Sequence, residues 1–151
     1  MANNARVLEL LGELLGAEDL VTRMNDEKLL KEGTDALAAV TWPDFEFALI
    51  GPDPAFRAEF KGVEGFVEGW HDWLSAFDSY AMDVHEVIGT GDGFVGLARM
   101  KATPKGTGAV IEQEAAAALL FEDGKLRRME FHLDRGEAMR AAGLDPADLQ
   151  G

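Results

Sequence analysis

The chain has 151 residues, enough for one domain that buries a core without disulfide or metal staples. Its 28 acidic residues against 14 Lys and Arg leave a formal charge of −14, a field that opposes nucleic acid and anionic membrane surfaces as partners. No cysteine is present, which excludes disulfides, thiol nucleophiles and thiolate metal sites, and no apolar run approaches membrane-spanning length.

The opening MANNARVLELLGELLG has no basic region before its apolar residues and no small-residue cleavage site after them, so a cytoplasmic protein is expected. Asn4 is placed to cap a helix with Val7, Leu10, Leu11, Leu14 and Leu15 on one face and Gly16 as its stop. A second helical region covers residues 18–40, broken near Asn25-Asp26 and again at Gly33-Thr34, with Leu20, Leu29, Leu30 and Leu37 turned to the core. The whole N-terminal helical region thus runs from about 4 to 40 within a single domain, 1–151. WPDFEFALI alternates around Phe45, Phe47 and Leu49; a Pro52-Asp53-Pro54 turn follows, and FRAEFKG supplies a second short strand.

From Val63 to Phe77, the residues Val63, Phe66, Val67, Trp70, Trp73, Leu74 and Phe77 recur at three- and four-residue spacing, which predicts a buried helix face. Four strand-like runs follow, SYAMDVHEVI, FVGLARMKAT, AVIEQEAAAALLF and KLRRMEFHLD, separated by the hairpin turns GTGDG, PKGTG and EDG. Helices first and a long antiparallel meander afterwards make an α+β domain. Asp134 ends the last strand and caps a final helix, with Glu137 placed to reach back as in a capping box and Gly143 and Pro146 as the stop.

The segments WPDFEF, FKGVEGFVEGWHDWL, HEVIGTGDGFVGLAR and DGKLRRMEFHLDRGEAMRAAGL resemble the SnoaL-like branch of the nuclear transport factor 2-like superfamily, which also holds ketosteroid isomerases. The resemblance covers roughly residues 34–145, its last segment being the most specific. It implies a cone-shaped fold, a curved antiparallel sheet wrapped around the N-terminal and middle helices with an internal cavity, often in a homodimer. It does not imply one reaction, because relatives include cyclases, isomerases, epoxide hydrolases and non-catalytic binders. Where ketosteroid isomerases carry a base on the first strand this chain has Phe47, and where epoxide-hydrolysing relatives carry an acid on the last strand it has Phe131.

Counting from the hairpins assigns faces independently. With EDG and GDG as three-residue loops, Phe121 lies opposite Lys125 and Thr90 opposite Phe94. One face then gathers Asp83, Lys101, Glu112 and Asp134 in one row and His85, Arg99, Glu114 and His132 in the next, an arrangement of opposite charges suited to solvent. The other gathers Val84, Met100, Gln113 and Leu133, then Glu86, Ala98, Ala115 and Phe131, then Ile88, Gly96, Ala117 and Met129. This is the expected concave face, where Gly96, Ala98, Ala115 and Ala117 leave room for a ligand. Glu86 would be a carboxylate in apolar surroundings there, holding its proton tightly enough for general acid or base work. Two other readings stand beside it: a two-residue turn reverses the register and sends Glu86 to solvent, or a buried Glu86 pairs with a cation such as Arg57.

Gly91-Asp92-Gly93-Phe94-Val95-Gly96 fits G-x-G-x-x-G, but a strand follows instead of the helix whose N-terminus would hold a pyrophosphate, so the match reads as a turn. His71, His85 and His132 lack helical metal-site spacing, and neither Ser75 nor Ser79 stands in a nucleophile elbow, so no metal, cofactor or serine hydrolase chemistry is expected. Ala116, Ala118, Leu120, Leu126 and Val87 among the convex-face charges suit a symmetric dimer contact. The expected partner is a small apolar organic molecule held by Phe47, Trp70, Trp73, Tyr80, Gln113, Met129 and Phe131, with Glu86 as proton shuttle in a cofactor-free isomerase or cyclase acting on a carbonyl compound. The alternatives are a non-catalytic binding module and a homodimeric assembly domain whose cavity is closed by side chains.

Overall fold

The computed structural model describes residue 9 and residues 20–51, 57–90 and 92–148. The first expected helix with Asn4, Val7, Leu10, Leu11, Leu14, Leu15 and Gly16, the Pro52-Asp53-Pro54 turn and Gly91 lie outside the described residues. Helix α1 (Leu20–Met24) is separated from α2 (Glu27–Ala38) by Asn25 and Asp26, and the Asp26 side chain caps α2 by accepting from Leu29 N at 3.1 Å. No second break occurs at Gly33-Thr34. Gly33 is buried within the helix, where glycine costs only about 1 kcal/mol relative to alanine, and the Thr34 hydroxyl bonds back to the Lys31 carbonyl. Leu20 and Leu37 enter the core as expected, whereas Leu29 is exposed.

Six strands form one curved, unclosed sheet in the order β2-β1-β6-β5-β4-β3: β1 (Thr41–Ile50), β2 (Arg57–Lys61), β3 (Phe77–Thr90), β4 (Gly93–Pro104), β5 (Ile111–Glu122) and β6 (Lys125–His132). The β3–β6 meander is antiparallel as expected, but β1 joins β6 in parallel, so the sheet is mixed. Helix α3 (Gly62–Leu74) crosses the inner face, and Phe77, expected in that helix, instead opens β3. Two glycines set the distance of that crossing. A Cβ on Gly65 would stand 2.9 Å from the Phe60 Cβ, and one on Gly69 would stand 2.9 Å from the Phe60 ring and 3.0 Å from that of Phe47. Glycine at both positions lets α3 lie on β1 and β2 and aims Trp70 into the sheet.

Both hairpins named in the sequence turn more tightly than three-residue loops. Asp123 (φ 51°) and Gly124 (φ 79°) make a two-residue turn between Glu122 and Lys125, and Thr90 pairs directly with Gly93. Each hairpin then contains a bulge. In β5–β6 the pairing moves from Phe121↔Leu126 to Leu120↔Arg128, so Ala117 faces Phe131 where Met129 was expected, yet the inner and outer sets of β5 and the distal part of β6 are unchanged. In β3–β4 the shift between Val84 and Glu86 leaves Glu86 paired with Leu97 and Val84 with Ala98. Gly96↔Ala117 and Ala98↔Ala115 pair as the counting required.

The last helix, α4 (Arg135–Ala141), lies on the outer face. Asp134 caps it by accepting from Glu137 N at 3.0 Å, but the Glu137 carboxylate turns to Arg140 at 2.7 Å instead of closing a reciprocal box. The helix ends in a Schellman motif, with Gly143 at φ 78°, Leu144 N donating to Met139 O and Gly143 N to Arg140 O. Ala138, Met139 and Ala142 cover Val95, Leu97, Ala116 and Ala118. The apolar patch expected to form a dimer contact is therefore dispersed. Ala116 and Ala118 lie under α4, Leu126 is turned into the inner core by its bulge, and Val87, paired with Gly96, is carried to the inner-face side.

Candidate ligand-binding face

Alternation along β1, β5 and β6 delivers one apolar set to the helix side of the sheet. Phe47, Trp70, Tyr80, Met129 and Phe131 belong to a single buried cluster, and Trp73 packs against it. Six of the seven residues expected to shape a pocket thus come together. The seventh, Gln113, shares the face opposite Met100 but stands exposed at its rim. The Phe131 ring is met edge-on by Trp70 at 5.1 Å and by Trp73 at 5.9 Å between centroids; Trp70 also stacks on Phe47 at 5.9 Å and meets Tyr80 at 6.3 Å. Such tilted aromatic contacts each add about 0.5–1.5 kcal/mol beyond burial.

The cluster is dense around Trp70, and the apolar side chains of β3 on the same face are less covered. Val84 and Val87 remain 39% and 48% exposed, and a Cβ placed on Gly96 would meet only Val84 Cγ1, at 3.8 Å. Val84 and Val87 are thus exposed apolar side chains on the same face of the sheet as the aromatic cluster. Polar atoms inside are few. The Tyr80 hydroxyl donates to Met100 Sδ at 3.1 Å, and burial pushes its pKa up to about 12, opposed in part by the nearby Trp73 indole. The Trp73 indole lies beside that hydroxyl, whereas the Trp70 N–H, shielded from solvent, has no hydrogen-bond partner among the described residues.

Glu86 is not part of this face. It is exposed and shares the outer side with its partner Leu97. The two-residue turn produces the outward register, and the bulge at His85 lies too far along the strand to restore it, so the apolar setting expected for its carboxylate is absent. Among the described residues the buried ionisable side chains besides Tyr80 are Glu130 and His132, and both point outward from β6.

These two belong to a charge network that the sequence reading missed. Glu130 receives Arg128 Nε at 2.6 Å and meets His132 Nε2 at 2.9 Å, with Arg57 at 3.4 Å; Arg128 also donates to Glu46 at 3.0 Å and Glu59 at 3.2 Å. The His132 contact first, and then Arg128, hold the Glu130 carboxyl down at about 2 against the desolvation that opposes it. An ionised Glu130 accepts, so His132 donates to it through Nε2, and His132 Nδ1 is buried with no partner among the described residues. The available signal was the i, i+2, i+4 spacing of Arg128, Glu130 and His132 on one strand face. His132 had been assigned to a solvated row with Glu114. In the structure that row keeps only Arg99–Glu114 at 2.8 Å and His85–Glu114 at 3.7 Å.

Surface clefts are also formed by described residues, two of them larger than 300 Å³. One is an open groove of about 650 Å³ between α2 and α3, lined by Leu30, Ala38, Val63 and Val67 with Lys31 and Glu64 at its edges. The other, about 340 Å³, lies at the end of α3 between His71, Ser75, Asp78 and Lys105. Neither is lined by Phe47, Trp70, Trp73, Tyr80 or Phe131, although Phe77 borders the second.

A family model described as a SnoaL-like domain matches residues 17–129. No curated protein matches the chain by sequence. Among solved structures, the chain is similar to a protein of Jannaschia sp. CCS1 whose name suggests a SnoaL-like polyketide cyclase, at 17% identity over 93% of this chain and 91% of that one, with a TM-score of 0.63. It is similar to TerC, co-crystallised with polyporic acid, at 16% identity over 93% and 97% with a TM-score of 0.62. A phenazine biosynthesis-related protein from Pseudomonas aeruginosa aligns at 14% identity over 99% and 93%, with a TM-score of 0.61. At these identities the likeness shows a common fold, the nuclear transport factor 2-like cone, while the family match spans well over half of the sequence. The chain belongs to the SnoaL-like domain family.

Proposed function

We propose that this protein binds a small, largely apolar organic molecule on the inner face of its sheet, entering past Val84, Val87 and Gln113 and resting against Trp70, Trp73, Tyr80 and Phe131. The observation that carries this reading is that the exposed Val84 and Val87 share one face of the sheet with a buried aromatic cluster, and apolar and aromatic side chains predominantly line small-molecule sites. The company the fold keeps supports it: similar structures include one crystallised with polyporic acid and one tied by name to phenazine biosynthesis. Binding ranks ahead of turnover. Cofactor-free isomerisation or cyclisation of a carbonyl compound needs a proton acceptor at the ligand, and the buried carboxylate among the described residues faces the other way.

The reading carries a cytoplasmic location, in keeping with the absence of cysteine; among the described residues no helix is long and apolar enough to cross a membrane. It also carries self-association through the outer face, where Arg57, Glu46 and Glu59 stay exposed beyond the reach of α4. Sedimentation at several protein concentrations reads that directly, and a single species at monomer mass removes it.

The test of binding is intrinsic tryptophan fluorescence with thermal unfolding against a panel of apolar ketones, phenols and steroids. Saturable quenching is expected, with a midpoint raised in step with ligand concentration, since a ligand at a hundred times its Kd adds about 2.7 kcal/mol. A cooperative native fold that ignores the whole panel would point to the assembly role instead.

A further inference from the structure

The cleft at the end of α3 stands apart from the inner face and gathers polar groups over an apolar floor. Val21 on α1 and Asn25 just after it form one side, His71 and Leu74 in the last turn of α3 a second, Phe77 and Asp78 at the start of β3 a third, and Lys105 joins them from the loop after β4. These walls are tied to one another. Lys105 N donates to Ala76 O at 3.0 Å and Gly106 N to Asp78 Oδ2 at 3.1 Å, so the loop is pinned to the start of β3; on the opposite side the Asn25 amide donates to Val21 O at 2.9 Å. A cleft held in this way needs little ordering before a ligand enters.

Its charges are not spent on each other. Among the described residues the Lys105 ammonium and the His71 ring have no hydrogen-bond or ion-pair partner, and the Asp78 carboxylate takes the Gly106 N–H but pairs with no cation. A cation and an anion held on one rim without pairing are both open to a ligand that brings the complementary pair. Beneath them Leu74 is buried, and Val21 and Phe77 are half-buried. At about 340 Å³ the space lies at the small end of ligand sites. The −14 charge of the chain opposes a ligand with net negative charge and admits one whose charges cancel.

We propose that this cleft is a second ligand site, for a free apolar α-amino acid, with the carboxylate on Lys105 and His71, the ammonium on Asp78 and the side chain over Leu74 and Phe77. It is independent of the inner-face reading. A simple carboxylate leaves Asp78 beside a like charge, a simple amine does the same to Lys105, and glycine leaves the floor uncovered, so each of them loses one of the three contacts.

The experiment is calorimetry on the full chain with valine, leucine, isoleucine, methionine and phenylalanine, each beside its N-acetyl derivative and its decarboxylated amine, and with glycine. At least one of the five amino acids is expected to bind saturably, with its two derivatives and glycine about tenfold weaker or more. Lys105→Gln and Asp78→Asn should each weaken that amino acid about tenfold, whereas Lys101→Gln, which removes the same charge from the outer face, should leave it unchanged. Backbone ¹H–¹⁵N resonances locate the ligand: shifts are expected at Ser75, Phe77 and Gly106. Absence of saturable binding by all five amino acids overturns the proposal. An N-acetyl derivative or an amine that binds as tightly as its parent does so too, because one charge of the pair is then unused. Shifts centred on Met129 and Phe131 would place the ligand on the inner face and remove the second site. Lys105, Asp78 and Lys101 are all exposed, and thermal unfolding checks that each variant keeps its fold.

Discussion

Along β6, Met129 and Phe131 turn inward to an aromatic core, while Arg128, Glu130 and His132 turn outward into a network of ions. The two faces are built one side chain apart. Inside, stability comes from area and ring contacts; outside, charged side chains pair with one another, and the apolar ground is covered by a helix of the same chain. The inner face is therefore sensitive to the loss of a ring and the outer face to the loss of a charge.

Removing the central ring should break this contrast most sharply. Trp70→Ala deletes a buried indole that touches Phe47, Phe66, Tyr80 and Phe131, and is expected to cost about 3–5 kcal/mol in urea unfolding. Trp70→Phe should cost far less, because it keeps most of the packing and removes an unpaired donor. An equal loss in both would mean that the indole nitrogen is structurally satisfied.

The outer face is tested by proton. The Glu130 carboxyl sits at about 2 when folded against an ordinary 4.5, so its stabilisation is complete above 4.5 and is lost as pH falls from there toward 2. Glu130→Gln is expected to lower stability by about 2 kcal/mol at neutral pH, with wild type and variant converging near pH 2. Parallel curves across that range would show that Glu130 carries no such linkage. Tyr80 gives the inner face the opposite signature. Its raised pKa stabilises fully below 10 and is lost as pH climbs toward 12, so alkaline unfolding should weaken in Tyr80→Phe.

The inner face was largely legible in the sequence because it is periodic. Three- and four-residue spacing marked Trp70, Trp73 and Phe66 on α3, and alternation marked Phe45, Phe47 and Leu49 on β1. Faces of β5 and distal β6 survived a mistaken loop length because the bulge beyond the turn restored the alternation. The same compensation failed Glu86: it lies on the turn side of the β3 bulge, where pairing and facing both differ from the count. Bulges leave no signature in composition, and Asp-Gly turns admit loops of two or three residues alike. The Arg128–Glu130–His132 network was missed for a related reason. Alternating charges look solvated until it is known that α4 folds back over that face and that β1 and β2 bring Glu46, Arg57 and Glu59 alongside.

A middle-sized effect belongs to the seam between α3 and the sheet. Gly69→Ala puts a methyl group 2.9 Å from the Phe60 ring and 3.0 Å from that of Phe47, so α3 must lift or the rings must turn. Overpacking of this kind costs about 1–3 kcal/mol. Because Trp70 follows directly, ligand affinity should fall along with the unfolding midpoint. A stability loss with unchanged affinity would separate the position of the helix from the binding face.

The smallest expected effect falls on the residue with the most chemical promise on sequence grounds. Glu86 is exposed on an edge strand beside a bulge, so replacing its carboxylate by an amide disturbs no buried group. Glu86→Gln should change stability by less than about 0.5 kcal/mol and leave ligand affinity as it was. If the variant lost affinity or turnover severalfold at unchanged stability, Glu86 would have to reach the ligand, and β3 would then adopt in the bound protein the register that one residue of slippage supplies. That slip would exchange the two sides of the strand's outer end, so Val87 would become more accessible as Glu86 became less. Solvent accessibility at the two positions, read with and without ligand, distinguishes a shifted strand from an indirect effect.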